Sequence, residues 1–152
     1  MEHTLDYEIK FPAPREQVFA FFSDATNLEK ITPPELKFHI ISPLPLEIKE
    51  GALIDYKLGI FGMSFHWTTL ISAWDPPNQF VDTQLKGPYA LWEHTHTFEE
   101  LPDGGTLARD HVVYKLPLTP LGDIAFPLVK KQLTRIFAYR QEKLVEEFGR
   151  WE

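Results

Sequence analysis

The chain has 152 residues, of which 43% are hydrophobic and 14% aromatic, with 12 phenylalanines, a formal charge of -7 and no cysteine. That length predicts a single domain over 1–152 with a sizeable core. The acidic balance speaks against nucleic acid and anionic membrane surfaces as partners, and the absence of thiols excludes disulfides and thiolate chemistry.

The N-terminus MEHTLDYEIK has no apolar signal core, and no segment reaches membrane-spanning length. The expectation is a cytoplasmic protein without stable membrane insertion. His3, Leu5, Tyr7, Ile9 and Phe11 alternate with Thr4, Asp6, Glu8 and Lys10, the period-two pattern of a strand that Pro12 and Pro14 end. A helix carrying Val18, Phe19, Phe21 and Phe22 starts at Pro14 or Arg15. Ser23 or Asp24 is placed to cap a second short helix through Leu28 and Ile31, which Pro33-Pro34 stops.

Six strands follow, near residues 36–42, 52–59, 63–74, 79–86, 90–101 and 105–116, separated by short turn signals. Such short connections predict an antiparallel meander. From Gly122 to Phe148 the period becomes helical, with Leu133, Ile136, Phe137, Leu144 and Phe148 on one face. One amphipathic rod of roughly 40 Å can lie across the concave face of a curved sheet.

In a meander, successive turns fall at opposite ends of the sheet. One end collects Ile60, Phe61, Met63, Tyr89, Leu118 and Leu121, the other mostly polar tips. Phe61, Met63, Tyr89, Leu118 and Leu121 are therefore the expected rim of a cavity mouth, or a face that docks on something apolar. Loop tips that merely cover the core are the plainer reading of the same pattern.

The sixth strand carries LWEHTHTFE, in which Trp92, His94, His96 and Phe98 share the apolar side. Pairing Phe98 near Thr106 sets Asp110 opposite His94 and Ala108 opposite His96. Asp110 alternates with Val112 and Tyr114, and on the preceding strand Asp82 alternates with Phe80 and falls near His94. Arg140 interrupts the apolar helix face, and a buried guanidinium needs an acceptor. Depths from the mouth agree: about 20 Å for His96 and 23 Å for Asp110 at ~3.3 Å per residue, and about 27 Å for Arg140 at ~1.5 Å per residue. His94, His96, Asp110 and Arg140 are thus expected to converge inside an aromatic pocket.

Four uses of that cluster stay open. It can be a satisfied structural network, with Arg140 on Asp110. It can orient the polar end of an apolar ligand. It can be an acid–base site in which His94 or His96 moves a proton and Arg140 holds an oxyanion. It can bind a metal through both histidines and Asp110, a use that the neighbouring guanidinium opposes, so no metal and no cofactor is expected. Tyr56, Trp67, Trp74, Trp92 and Tyr114 read as wall and core, and His3, His39, His66 and His111 as surface or strand-edge residues.

The element order resembles the helix-grip fold of the SRPBCC superfamily, which holds START-type lipid carriers, birch-pollen-allergen-like proteins and polyketide cyclases. WDPPNQFVD (74–82), GPYALWEHTHTFE (87–99), GGTLARDHVVYKLP (104–117) and IFAYR (136–140) carry the resemblance, which is closest to small single-domain bacterial members. It implies an α+β fold: a seven-stranded antiparallel sheet wrapped around the C-terminal helix, two short helices after the first strand, and a cavity between sheet and helix. Trp92, His94, His96, Phe98, Asp110 and Arg140 match cavity-side positions of that subgroup. With Tyr56, Trp67, Phe80, Asp82, Tyr114 and Phe137 they form the expected ligand-binding set. The leading expectation is binding or transport of a hydrophobic small molecule such as a lipid, polyketide or aromatic compound. The alternatives are a cyclase or dehydratase using His94 or His96, and an interaction module that docks through the apolar tips.

Overall fold

A computed structural model describes residues 2–44, 46, 48–118 and 121–151, with Leu121 described in its backbone alone. The elements are β1 (Glu2–Phe11), α1 (Arg15–Phe22), α2 (Asn27–Lys30), a 3-10 turn (Pro34–Leu36), β2 (His39–Ile40), β3 (Leu53–Ile60), β4 (Met63–Asp75), β5 (Gln79–Lys86), β6 (Leu91–Glu100), β7 (Thr106–Lys115), α3 (Leu121–Ile124) and α4 (Phe126–Phe148). The strands form one antiparallel sheet in the order β1-β7-β6-β5-β4-β3-β2. β1 therefore closes on the last strand, and the rest is a meander. The buried residues of α4 are Leu133, Phe137, Arg140 and Leu144, one stripe at helical spacing. This is the helix-grip arrangement.

Local chemistry explains three departures from the pattern-based elements. The strand expected at 36–42 shrinks to His39–Ile40, because Pro34–Leu36 takes a 3-10 turn that ends on Lys37 in the left-handed region (φ 50°). Neither Ser23 nor Asp24 caps α2, whose N-cap is Thr26. Asp24 instead accepts from the Thr26 N–H and hydroxyl at 3.0 and 2.7 Å, an Asx-type turn ahead of the helix. The long helix is interrupted at Ala125, where Pro127 in the first turn of α4 has no N–H to bond the preceding turn.

Two register shifts in β4 shape the inner face, one between Thr68 and Thr69 and one between Ile71 and Ala73. Trp67, Thr69 and Ile71 are buried at alternate positions. Strict alternation would then turn Trp74 outward. The second irregularity reverses parity, and Trp74 packs on Phe19 and Phe80 with ring centroids 4.9 and 5.6 Å apart.

The core divides into two aromatic groups. Phe11, Phe19, Phe22, Phe80, Phe98 and Leu144 pack together beneath α1. Leu58, Trp67, Trp92, Val112, Tyr114, Leu133 and Phe137 form the other group. His3, expected at the surface or an edge, is largely covered: its ring stacks 3.9 Å from Phe126 and lies 5.3 Å from Tyr114, on the inward parity it shares with Leu5 and Tyr7.

Candidate functional site

Between the two aromatic groups lies a cavity of about 180 Å³. At ~15 Å³ per water this is room for on the order of a dozen waters, so the centre is not packed solid. Its wall takes apolar side chains from α1, α2, the 3-10 turn, β3 to β6, α4 and adjoining segments, including Phe22, Ile31, Phe38, Ile54, Leu58, Ile71, Leu133 and Ile136. Tyr56, Trp67, Phe80, Asp82, Trp92, His94, His96, Phe137 and Arg140 of the expected set are on it.

Three of the expected residues stand off the wall. Phe98 belongs to the packed group under α1 and is 4% exposed. Tyr114 is 1% exposed and packs on Tyr89 and Trp92. Asp110 lies behind the imidazoles and supports them from β7. The expected mouth residues also divide. Tyr89 lines the cavity, whereas Phe61, Met63 and Leu118 are exposed and do not. Phe61 and Gly62 both have positive φ, a two-residue reversal of the primed kind, which sets Phe61 at the apex of its hairpin rather than on the wall. The side chain of Leu121 lies outside the described residues.

β6 sets the polar patch. Its alternation buries Trp92, His94, His96 and Phe98. In the observed register His94 pairs with Asp82 on β5 and Val112 on β7, while His96 pairs with Asp110. The pairing is two residues from the expected one, and a shift of two preserves which face each side chain takes. Phe98 opposes Ala108, not Thr106.

The hydrogen bonds fix the roles of the ring nitrogens. His94 Nε2–H donates to Asp110 Oδ1 at 2.7 Å, and His96 Nε2–H donates to Asp82 Oδ2 at 2.5 Å. A carboxylate only accepts, so each imidazole must be the donor. Arg140 Nη2 donates to Asp110 Oδ1 at 3.1 Å and reaches His96 Nδ1 at 3.4 Å. The imidazoles stack on each other with centroids 3.7 Å apart, and His96 stacks on Phe80 at 4.0 Å. The guanidinium carbon lies 5.0 Å from the Phe22 ring and 5.7 Å from the Phe137 ring.

Burial, reinforced by His94, pushes His96 down to about 4 against the pull of Asp82, so the ring is neutral near pH 7. Burial works to raise Asp110, but the Arg140 guanidinium and His94 overcome it and hold the carboxyl well below its usual range. Asp82 is held low in the same way, with His94 and His96 outweighing burial. His94 Nδ1 lies 3.7 Å from Asp82 Oδ2, so each ring has a carboxylate near both of its nitrogens. The Trp67 indole N–H, also in the wall, has no hydrogen-bond partner among the described residues.

The signals for the wall residues that pattern reading missed are uneven. Thr69 falls between Trp67 and Ile71 on the inward parity of β4 and was legible. Phe22, Ile31, Leu36 and Phe38 come from helical and turn segments whose approach to the sheet no period encodes.

A sheet wrapped around one long helix, with an apolar cavity between them and a polar patch on its wall, defines a protein of the helix-grip fold. Residues 11–139 match the family model described as polyketide cyclase / dehydrase and lipid transport, and the chain belongs to that family. Among curated proteins no sequence matches. The Zhui aromatase/cyclase from a Streptomyces species superposes with a TM-score of 0.77 at 16% identity, covering 97% of this chain and 93% of that one. A START superfamily protein from Mycobacterium smegmatis gives 0.72 at 18% identity, covering 96% and 97%. The protein Ara h 8.0201 gives 0.63 at 21% identity, covering 95% and 99%. At these identities the likeness is one of fold. Among the described residues no helix is long and apolar enough to cross a membrane.

Proposed function

We propose that the protein binds and carries a mostly apolar small molecule in the cavity, with a polar group of the guest against Asp82, His94 and Arg140. The observation that carries this reading is the wall itself: aromatic and aliphatic side chains around a void, with the carboxylate, imidazole and guanidinium groups on it gathered at one place. Burial of the guest's apolar surface supplies affinity, at ~25 cal/mol per Å², and the polar cluster supplies orientation. Native mass spectrometry of freshly purified protein, followed by a panel of fatty acids, sterols and aromatic polyketides, tests it. A saturable one-to-one adduct is expected. No bound species from the purified protein or from any panel member would end the proposal.

A cyclase or dehydratase reading draws support from one geometry. Asp110 holds His94 Nε2–H and turns Nδ1 toward the cavity side, the arrangement of an oriented general base. His94→Ala separates the two readings. An enzyme loses turnover of a panel compound while the adduct persists, whereas a carrier shows no turnover in either form.

A further inference from the structure

From the sequence no metal is expected, and in the metal use that it leaves open Asp110 is the third ligand beside the two histidines. The structure places Asp110 behind both rings instead, its Oδ1 2.7 Å from His94 Nε2 and 3.4 Å from His96 Nδ1. Asp82 faces their other edges, its Oδ2 3.7 Å from His94 Nδ1 and 2.5 Å from His96 Nε2. The two imidazoles are thus bracketed, one carboxylate touching one nitrogen of each ring and the second carboxylate touching the other. Such bracketing characterises metal-ligating histidines, which give the ion one nitrogen and donate the other N–H to an acidic group.

We propose that Asp82, His94 Nδ1 and His96 Nε2 form a binding site for a divalent first-row transition ion of the zinc type, with Asp110 as the outer carboxylate that orients both rings. One atom from each of the three residues falls within 4.8 Å of the others. Ligands on a tetrahedral ion with bonds of ~2.0–2.1 Å lie about 3.3 Å apart, so separations between 2.5 and 4.8 Å need changes of up to about 1.5 Å. The histidines sit at i and i+2 on β6, and Asp82 pairs directly with His94 on β5, so three adjacent backbone positions deliver the set. His94 Nδ1 lies 3.7 Å from Asp82 Oδ2 while its Nε2 is held by Asp110, so the ring presents Nδ1 on the Asp82 side. His96 frees Nε2 by carrying its proton on Nδ1, where Asp110 Oδ1 lies at 3.4 Å and accepts it, and Arg140 Nη2, also 3.4 Å from Nδ1, then keeps only its bond to Asp110.

The guanidinium does not oppose the ion, because its charge is already matched. Arg140 is bonded to Asp110, so its charge is paired with the outer carboxylate and not with Asp82. A divalent ion on a two-imidazole, one-carboxylate set suits borderline metals better than calcium or magnesium, which prefer oxygen. All three donors lie on the cavity wall, so the remaining coordination positions face the void. The site does not depend on the identity of a guest, and its stoichiometry can be read without one.

Metal loading of the full chain tests the assignment. The protein is stripped with a chelator, incubated with Zn²⁺ or Co²⁺ and desalted, and metal per chain is measured by elemental mass spectrometry. About one equivalent is expected, with visible Co²⁺ bands of a low-coordinate site and a rise in thermal midpoint that saturates at that equivalent. Asp82→Asn with His94→Gln removes two ligands and abolishes loading, whereas Asp110→Asn keeps one equivalent at roughly 10–100-fold weaker affinity. His66→Ala with His111→Ala controls for the exposed imidazole–carboxylate pairs on the surface and leaves the result unchanged. Wild type below about 0.1 equivalent overturns the proposal, whatever the variants do. So does full loading of a natively folded Asp82→Asn/His94→Gln protein.

Discussion

His96 is a titratable ring enclosed by Phe80, Phe22, His94 and Arg140, and its neutrality is part of how the site is built. Its value of about 4 lies below the ordinary 6.5, so the unfolded chain binds a proton in this interval that the native ring refuses. The stabilising contribution is whole above pH 6.5 and is lost as pH falls through about 4, up to roughly 3 kcal/mol at ~1.4 kcal/mol per unit. Asp110 and Asp82, both held low, act with the same sign at more acidic pH. Urea midpoints should therefore fall between pH 6.5 and 4.5, and His96→Gln should flatten that slope while keeping a donor toward Asp82. A wild-type midpoint that is level or rising over this interval contradicts the neutral ring. The inward parity of His94, His96 and Asp110 was readable because a strand has period two. The division of labour between Asp82 and Asp110 was not, since a shift of two residues leaves parity untouched while changing which carboxylate stands in front.

At the scale of elements, Gly122 in α3 sits where a side chain has no room. A Cβ at Gly122 would lie 1.9 Å from the carbonyl oxygen of Pro117, and the Gly122 N–H bonds Leu118 O at 3.0 Å. The contact is with backbone, which cannot rotate aside. Gly122→Ala is expected to cost roughly 1–3 kcal/mol in urea unfolding, since the start of the helical segment must move. An unchanged midpoint would mean that the link yields freely. Strands β3 to β7 and the buried stripe of α4 were legible from turn residues and apolar spacing. The break at Ala125 and the reduction of β2 to two residues were not, because a proline near a helix start reads equally as an interruption or a beginning.

At the scale of the molecule, the fold leaves space where a monomer built for stability would place side chains. Ile54 and Ile71 are 3% and 2% exposed and both border the void. Replacing both with Phe fills part of it. Gains of ~1 kcal/mol are usual for such filling, about 2–4 °C in midpoint for a chain of this size. The same change should abolish the adduct seen by native mass spectrometry. Retention of the adduct at full occupancy would place the guest elsewhere. The void itself was implied by aromatic content and family likeness rather than by any period, since an amphipathic pattern tells which side chains face inward and not whether they meet.

The five side chains of the polar cluster come from β5, β6, β7 and α4, and Arg140 is the member on the helix. The guanidinium is thus a tether between rod and cup, fastened to the same carboxylate that steadies the imidazoles. Any polar group that displaced the guanidinium from Asp110 would undo a bond that joins the helix to the sheet.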